Sequence, residues 1–125
     1  MDSKRINRIS EEIRKVISDL LIKGLKDPRI SPMTTITSVE VTRDLSYANI
    51  YISVLGDEFE KDDTLQGLES AKGFIRKEIG RRVDLRHVPE PKFYLDESIE
   101  RAIYMTELIN KVTKEDQERR GNEDE

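Results

Sequence analysis

From residue 3 onward, apolar side chains return at three- and four-residue steps. Ile6, Ile9, Ile13, Val16, Ile17, Leu20 and Leu21 share one side, with charge on the other. That period predicts an amphipathic helix over 3–26, with Asp2 or Ser3 as its N-cap. "GLKDPRIS" ends it: Gly24 weakens the helix, and Pro28 drives Asp27 out of the α region. The period then changes to two. "TITSVEVT" over 35–42 is dense in β-branched residues. In "ANIYISVL" over 48–55, Ala48, Ile50, Ile52 and Val54 alternate with Asn49, Tyr51 and Ser53. These read as two strands, and the short "RDLSY" between them predicts an antiparallel hairpin.

"GDEFEKDD" reads as an acidic loop whose carboxylates suit the start of a following helix. Helical spacing resumes over 64–83 through Leu68, Ile75, Ile79 and Val83. Two prolines make "DLRHVPEP" irregular, and "KFYL" over 92–95 is a short third strand. Asp96 or Ser98 caps a last helix carrying Ile99, Ile103, Leu108, Ile109 and Val112. From Thr113 on there is no apolar residue, so 113–125 is expected to be a disordered tail behind one folded domain, 1–112. The order is α-β-β-α-α-β-α. It predicts an α+β domain with a small three-stranded sheet covered by helices on one face.

Composition narrows the function classes. A chain of 125 residues fits one domain, and the absence of cysteine excludes disulfides and thiolate metal sites. No apolar run approaches the roughly 20 residues needed to span a bilayer, and "MDSKRINRIS" has no apolar signal core. A soluble cytoplasmic protein is expected.

The net charge of −4 speaks weakly against nucleic acid, but its distribution matters more. Residues 1–26 hold seven Lys/Arg against four acids, and residues 72–92 hold seven against three. Residues 57–63 hold five acids against one lysine. On a helix through Gly73, Lys72, Arg76 and Lys77 lie within about one turn and Arg81 follows, opposite Ile75, Ile79 and Val83. Arg82 and Arg86 extend the charge, and Arg5, Arg8 and Lys15 give the first helix a second basic surface. Such density suits phosphate contact, although a solvated helix face is the alternative. Gly73 adds to the case. It costs a helix about 1 kcal/mol relative to alanine, lets another backbone come close, and marks where a restarting helix could offer N–H groups to phosphate.

Catalysis has few footholds. His87 is the only histidine and lies in the irregular basic segment. Gly67 and Gly73 bracket five residues, where a phosphate-binding P-loop needs four and then Gly-Lys-Ser/Thr. No Gly-x-Ser-x-Gly turn is present. No cofactor, metal or small-molecule substrate is expected.

Taken together, "RI...I...I..LL...KDPR" (8–29), "TSVEVTRDLSYANIYISVLG" (37–56), "AKGFIRKEIGRRVDLRHVPEPKFYLDESIE" (71–100) and "INKV" resemble the bacterial ribosome-binding factor A family. The resemblance covers about residues 6–109. It implies a type II KH-like fold, with an Ala-x-Gly kink at Ala71 and Gly73 in place of the Gly-x-x-Gly loop by which KH domains grip nucleic acid. It also implies a non-enzymatic, monomeric cytoplasmic factor that binds the free 30S small ribosomal subunit and its 16S rRNA. Such a factor assists late maturation, including 5′-end processing, and supports growth in the cold. Charge placement then assigns rRNA contact to Lys72, Arg76, Lys77, Arg81, Arg82 and Arg86, with Arg5 and Arg8 as a second patch. Asp27-Pro28-Arg29 and Asp96-Glu97-Ser98 are assigned structural roles, and Tyr51 and Tyr94 are read as surface or packing residues. A protein-interaction module using the uncovered sheet face and the acidic segment 57–63 is the alternative.

Overall fold

The computed structural model describes residues 3–123, and the side chains of all of these except 99, 100 and 115–123. Four helices and three strands follow the expected order: α1 (Ser3–Lys23), β1 (Thr34–Val41), β2 (Tyr47–Val54), α2 (Glu58–Ser70), α3 (Lys72–Arg82), β3 (Glu90–Leu95) and α4 (Ser98–Glu123). The sheet runs β1-β2-β3. β1 and β2 form the antiparallel hairpin, with a register shift between Ile36 and Ser38. β3 joins β2 in parallel, which a crossover through α2 and α3 makes possible.

The period-two pattern sorts the sheet faces. Ile36, Val41, Ala48, Ile50, Ile52 and Val54 are buried on one face. Ile6, Ile9, Ile13, Val16, Ile17 and Leu20 of α1, Leu68 of α2 and Ile75, Ile79 and Val83 of α3 close over them as one core. The helical cover thus places α1 and α3 side by side, their outer faces in solvent. Ser10, polar inside the buried stripe of α1, accepts the Val41 N–H at 3.2 Å. The opposite sheet face holds Tyr47, Tyr51 and Tyr94. The Tyr51 and Tyr94 rings stack at 5.4 Å, and Lys92 lies 4.0 Å over Tyr47.

β1 and β2 each begin one residue early, and β3 begins at Glu90, so Glu90 and Pro91 of the segment expected to be irregular pair with Tyr47 and Ala48 of β2, Pro91 being tolerated on an edge strand. Three further boundaries differ from the sequence expectation. α1 stops at Lys23 because Gly24 takes φ +83°, a left-handed helix end that suits glycine. α2 begins at Glu58, inside the segment read as an acidic loop, with Asp57 accepting the Glu60 N–H at 2.8 Å as N-cap. α4 continues past Thr113 to Glu123. Its polar end is rich in Lys, Glu, Gln and Arg, all good helix formers. The root of α4 is tied down: Asp96 accepts Thr37 Oγ1 at 2.8 Å and the Ser98 N–H at 2.9 Å. Beyond that root, Ile103, Met105, Leu108, Ile109 and Val112 are 40–59% exposed, so these positions join no core; Ile99, expected on the same stripe, lies outside the described side chains.

Candidate nucleic-acid interface

The turn between α2 and α3 rests on one residue. Ala71 has φ −85° and ψ 0°. Its N–H still bonds the Gly67 carbonyl at 3.0 Å, and its carbonyl accepts the Ile75 N–H at 2.9 Å. The rise in ψ at Ala71 swings the axis, and α3 starts with no side-chain cap. Gly73 lies inside α3 rather than at the bend, and a Cβ added there would meet nothing within 4 Å. Of the two glycines flanking the kink, the one that permits close approach is Gly67. A Cβ there would come 2.7 Å from Ile30 Cγ1 and 3.3 Å from the Ile30 nitrogen.

That contact belongs to a strap formed by the segment after α1. Asp27 accepts the Arg29 N–H at 3.0 Å and the Arg29 guanidinium at 2.9 and 2.6 Å. Arg29 reaches on to Ser70 Oγ at 2.8 Å. The Ser31 N–H donates to the buried Thr64 hydroxyl at 3.1 Å. The strap pins the exit of α1 onto α2 and so fixes one wall beside the kink. The Arg29 side chain, with its backbone N–H, holds the Asp27 carboxyl at about 2.

The cations assigned to rRNA divide into two sets. Arg5, Arg8, Lys77 and Arg86 are exposed, with no partner among the described residues. The other four are tied. Lys72 reaches Glu90 at 2.6 Å and Glu69 at 3.2 Å, and the Glu90 contact leads in raising its pKa. The Arg76 guanidinium donates to the Val88 carbonyl at 3.3 and 3.1 Å, binding α3 to the stretch before β3. Arg81 and Arg82 share Glu78 at 2.8 and 3.2 Å. Arg82 also crosses to Asp19 of α1 at 2.6 Å, the leading cause of its raised pKa. The structure thus brings Arg81 and Arg82 together. It leaves Arg5 about 20 Å from Asp19 along the α1 axis, at 1.5 Å per residue. The N-terminal cations are a separate patch.

Sequence reasoning missed Phe74, which is 52% exposed beside the kink. The signal was available: Phe74 is out of phase with the Ile75, Ile79 and Val83 stripe. It also read Lys23 and Lys26 only as helix charge, whereas they flank the same region as Phe74.

The model of the family described as ribosome-binding factor A matches residues 5–109. The chain belongs to the ribosome-binding factor A family. Its members are non-catalytic ribosome-binding factors. A ribosome-binding factor A from Alkaliphilus metalliredigens is 56% identical over 112 residues, spanning 90% of this chain and 81% of its own. One from Acetivibrio thermocellus is 54% identical over 121 residues, spanning 97% and 98%. Solved relatives agree in fold. A Thermotoga maritima ribosome-binding factor A homologue, determined by NMR, is 35% identical with a TM-score of 0.67, over 80% of this chain and 94% of its own. A homology model of the Thermus thermophilus ribosome-binding factor A is 23% identical with a TM-score of 0.58, over 70% of this chain and 91% of its own. Its coordinates were fitted into the cryo-EM map of a 30S complex. The helix–kink–helix built around Ala71 is therefore part of a ribosome-binding factor A fold. His87 is exposed, and among the described residues no cluster of His, Cys, Asp or Glu could hold a metal. Among them, too, no helix is long and apolar enough to cross a membrane.

Proposed function

We propose that this chain is a ribosome-assembly factor that binds the free small ribosomal subunit through its 16S rRNA. It acts late in maturation, supports 5′-end processing and growth in the cold, and works as a cytoplasmic monomer without catalysis. The observation that carries this reading is the family match over residues 5–109, joined by a relative 54% identical across 97% of the chain. The cationic outer faces of α1 and α3 give it a physical basis, because lysine and arginine displace counterions from phosphate. Residues 1–112 form the binding unit, and 113–125 are dispensable for binding. Arg5, Arg8, Lys77 and Arg86 make phosphate contacts directly. Lys72, Arg76, Arg81 and Arg82 do so while holding the kink in shape.

Gradient sedimentation of a lysate tests this reading. The protein is expected with free small subunits at low salt, absent from intact ribosomes, and released at high salt. A protein confined to the soluble pool at every salt concentration defeats it. A second reading, contact with protein rather than RNA, is favoured by the uncovered apolar side chains of α4. Binding of that kind would persist at high salt.

A further inference from the structure

The kink has two sides. Toward β3 it is closed, by Lys72 on Glu90 at 2.6 Å and Arg76 on the Val88 carbonyl at 3.1 Å. Toward α1 it is open. There a groove of about 980 Å³ lies between the end of α1 with its strap and the α2–α3 junction. Its apolar floor includes Leu20, Leu25, Ala71 and Phe74. Around this floor stand Lys23, Lys26, Arg29, Arg81 and Arg82, against the carboxylates of Asp27 and Glu78. Both carboxylates are engaged already, Asp27 by Arg29 and Glu78 by Arg81 and Arg82. Asp19 of α1 pairs with Lys23 at 3.2 Å and with Arg82 at 2.6 Å; the five cations still outnumber these three carboxylates, and Lys26 has no partner among the described residues. Arg81 is 63% exposed, with donors to spare.

We propose that this groove takes one unstacked base of single-stranded rRNA. The base lies against Phe74, and its flanking phosphates lie against Lys23, Lys26 and Arg81. This rests on the reading of the chain as an rRNA-binding factor and names the part of the RNA that is gripped. Charge complementarity selects the ligand. A nucleotide carries a flat apolar face between two anionic ends, which matches an aromatic floor inside a cationic rim. An apolar peptide would leave the rim unused. The strap through Asp27, Arg29 and Ser70 holds the wall before the ligand arrives, which lowers the ordering cost of binding.

The test uses the full, isotope-labelled chain and two probes: a single-stranded RNA hexamer, and a hexamer of the same phosphate count with abasic riboses. The intact hexamer is expected to shift the Phe74 ring and the Leu20 and Leu25 methyl signals. The abasic hexamer should bind about tenfold more weakly, within the range of one base–aromatic stack. Phe74→Ala should lose about the same factor for the intact hexamer, and Phe74→Tyr should keep its affinity. Phe74→Leu preserves apolar volume, guards against a folding artefact, and should still lose affinity. Lys26→Gln should weaken both hexamers alike. Equal affinity for the two hexamers overturns the proposal, as do groove signals that stay still. Co-sedimentation with free small subunits separates the two readings. Wild type that fails to sediment with them defeats the assembly-factor reading, and the groove with it. Wild type that sediments, alongside a Phe74→Ala variant of unchanged hexamer affinity, defeats the groove alone. A Phe74→Ala variant that loses the subunit but not the hexamer gives the groove to a protein segment and overturns the RNA proposal.

Discussion

Gly67 and Gly73 stand on either side of the kink and answer to different demands. Gly67 faces Ile30 at a distance no Cβ could share, so alanine there must shift the Ile30 side chain and crowd the strap at Arg29 and Ile30. Gly73 faces open space. In thermal or urea unfolding, Gly67→Ala is expected to lose about 1–3 kcal/mol through overpacking. Gly73→Ala should gain up to about 1 kcal/mol from helix propensity. A gain in stability that costs subunit affinity would show that Gly73 serves a bound partner. Asp27 gives a pH signature. Its folded pKa of about 2 lies below the ordinary 3.8, held down first by the Arg29 side chain. A depressed carboxylate stabilises the fold fully above its unfolded value and loses that contribution as pH falls through the folded one. The stability difference between wild type and Asp27→Asn should therefore be level near neutral pH, shrink as pH falls below about 4 and be lost in full only below about pH 2. Urea unfolding at stepped pH measures it, and a difference that stays level from neutral pH down to pH 2 rejects the strap as its source.

At the scale of elements, α2 and α4 depart most from their sequence patterns, for opposite reasons. The first turns of α2 invert the usual arrangement: Lys61 is 5% exposed while Phe59 is 74% exposed. Lys61 lies near Glu58 and Glu97, at 3.5 and 3.8 Å, which lets a charged residue occupy an inner position. A period built on hydrophobicity cannot find such a turn. α4 has the periodicity of a packed helix, but its apolar side chains among the described residues stand in solvent. Replacing Met105, Ile109 and Val112 together with glutamine is expected to change unfolding stability by less than about 1.5 kcal/mol, the sum of three surface substitutions. A larger loss would mean that the helix docks on the domain in solution.

For the whole molecule, the sheet separates two kinds of surface. The helical side carries the free cations of α1 and α3, while the other side carries stacked tyrosines and the acidic root of α4. Phosphate-led binding through the first side should fall steeply with salt. Lys77→Glu with Arg8→Glu should weaken small-subunit binding and flatten its salt slope by about one unit for each cation removed, with stability unchanged. Arg76 is a poor probe, because removing it also frees the Val88 carbonyl and loosens the stretch before β3. If the Lys77/Arg8 double variant binds with wild-type affinity and slope, the contact surface lies elsewhere.

The sequence by itself determined the element order, the hairpin, the inner face of the sheet and the family. Each of these follows from local periodicity or from a run of neighbouring residues. Gly24 and Pro28 end α1 by backbone geometry alone, and a reader of the chain can see that. The tertiary structure decided which cations are free. Whether Lys72 meets Glu90, or Arg82 meets Asp19, depends on elements far apart in the chain, and no local pattern encodes the distance between them. It also decided that Gly67 rather than Gly73 is the close-contact glycine, since Ile30 reaches Gly67 only once the strap has folded over α2. The groove beside Phe74 exists for the same reason. It is a space between three segments, and packing alone gives it a shape.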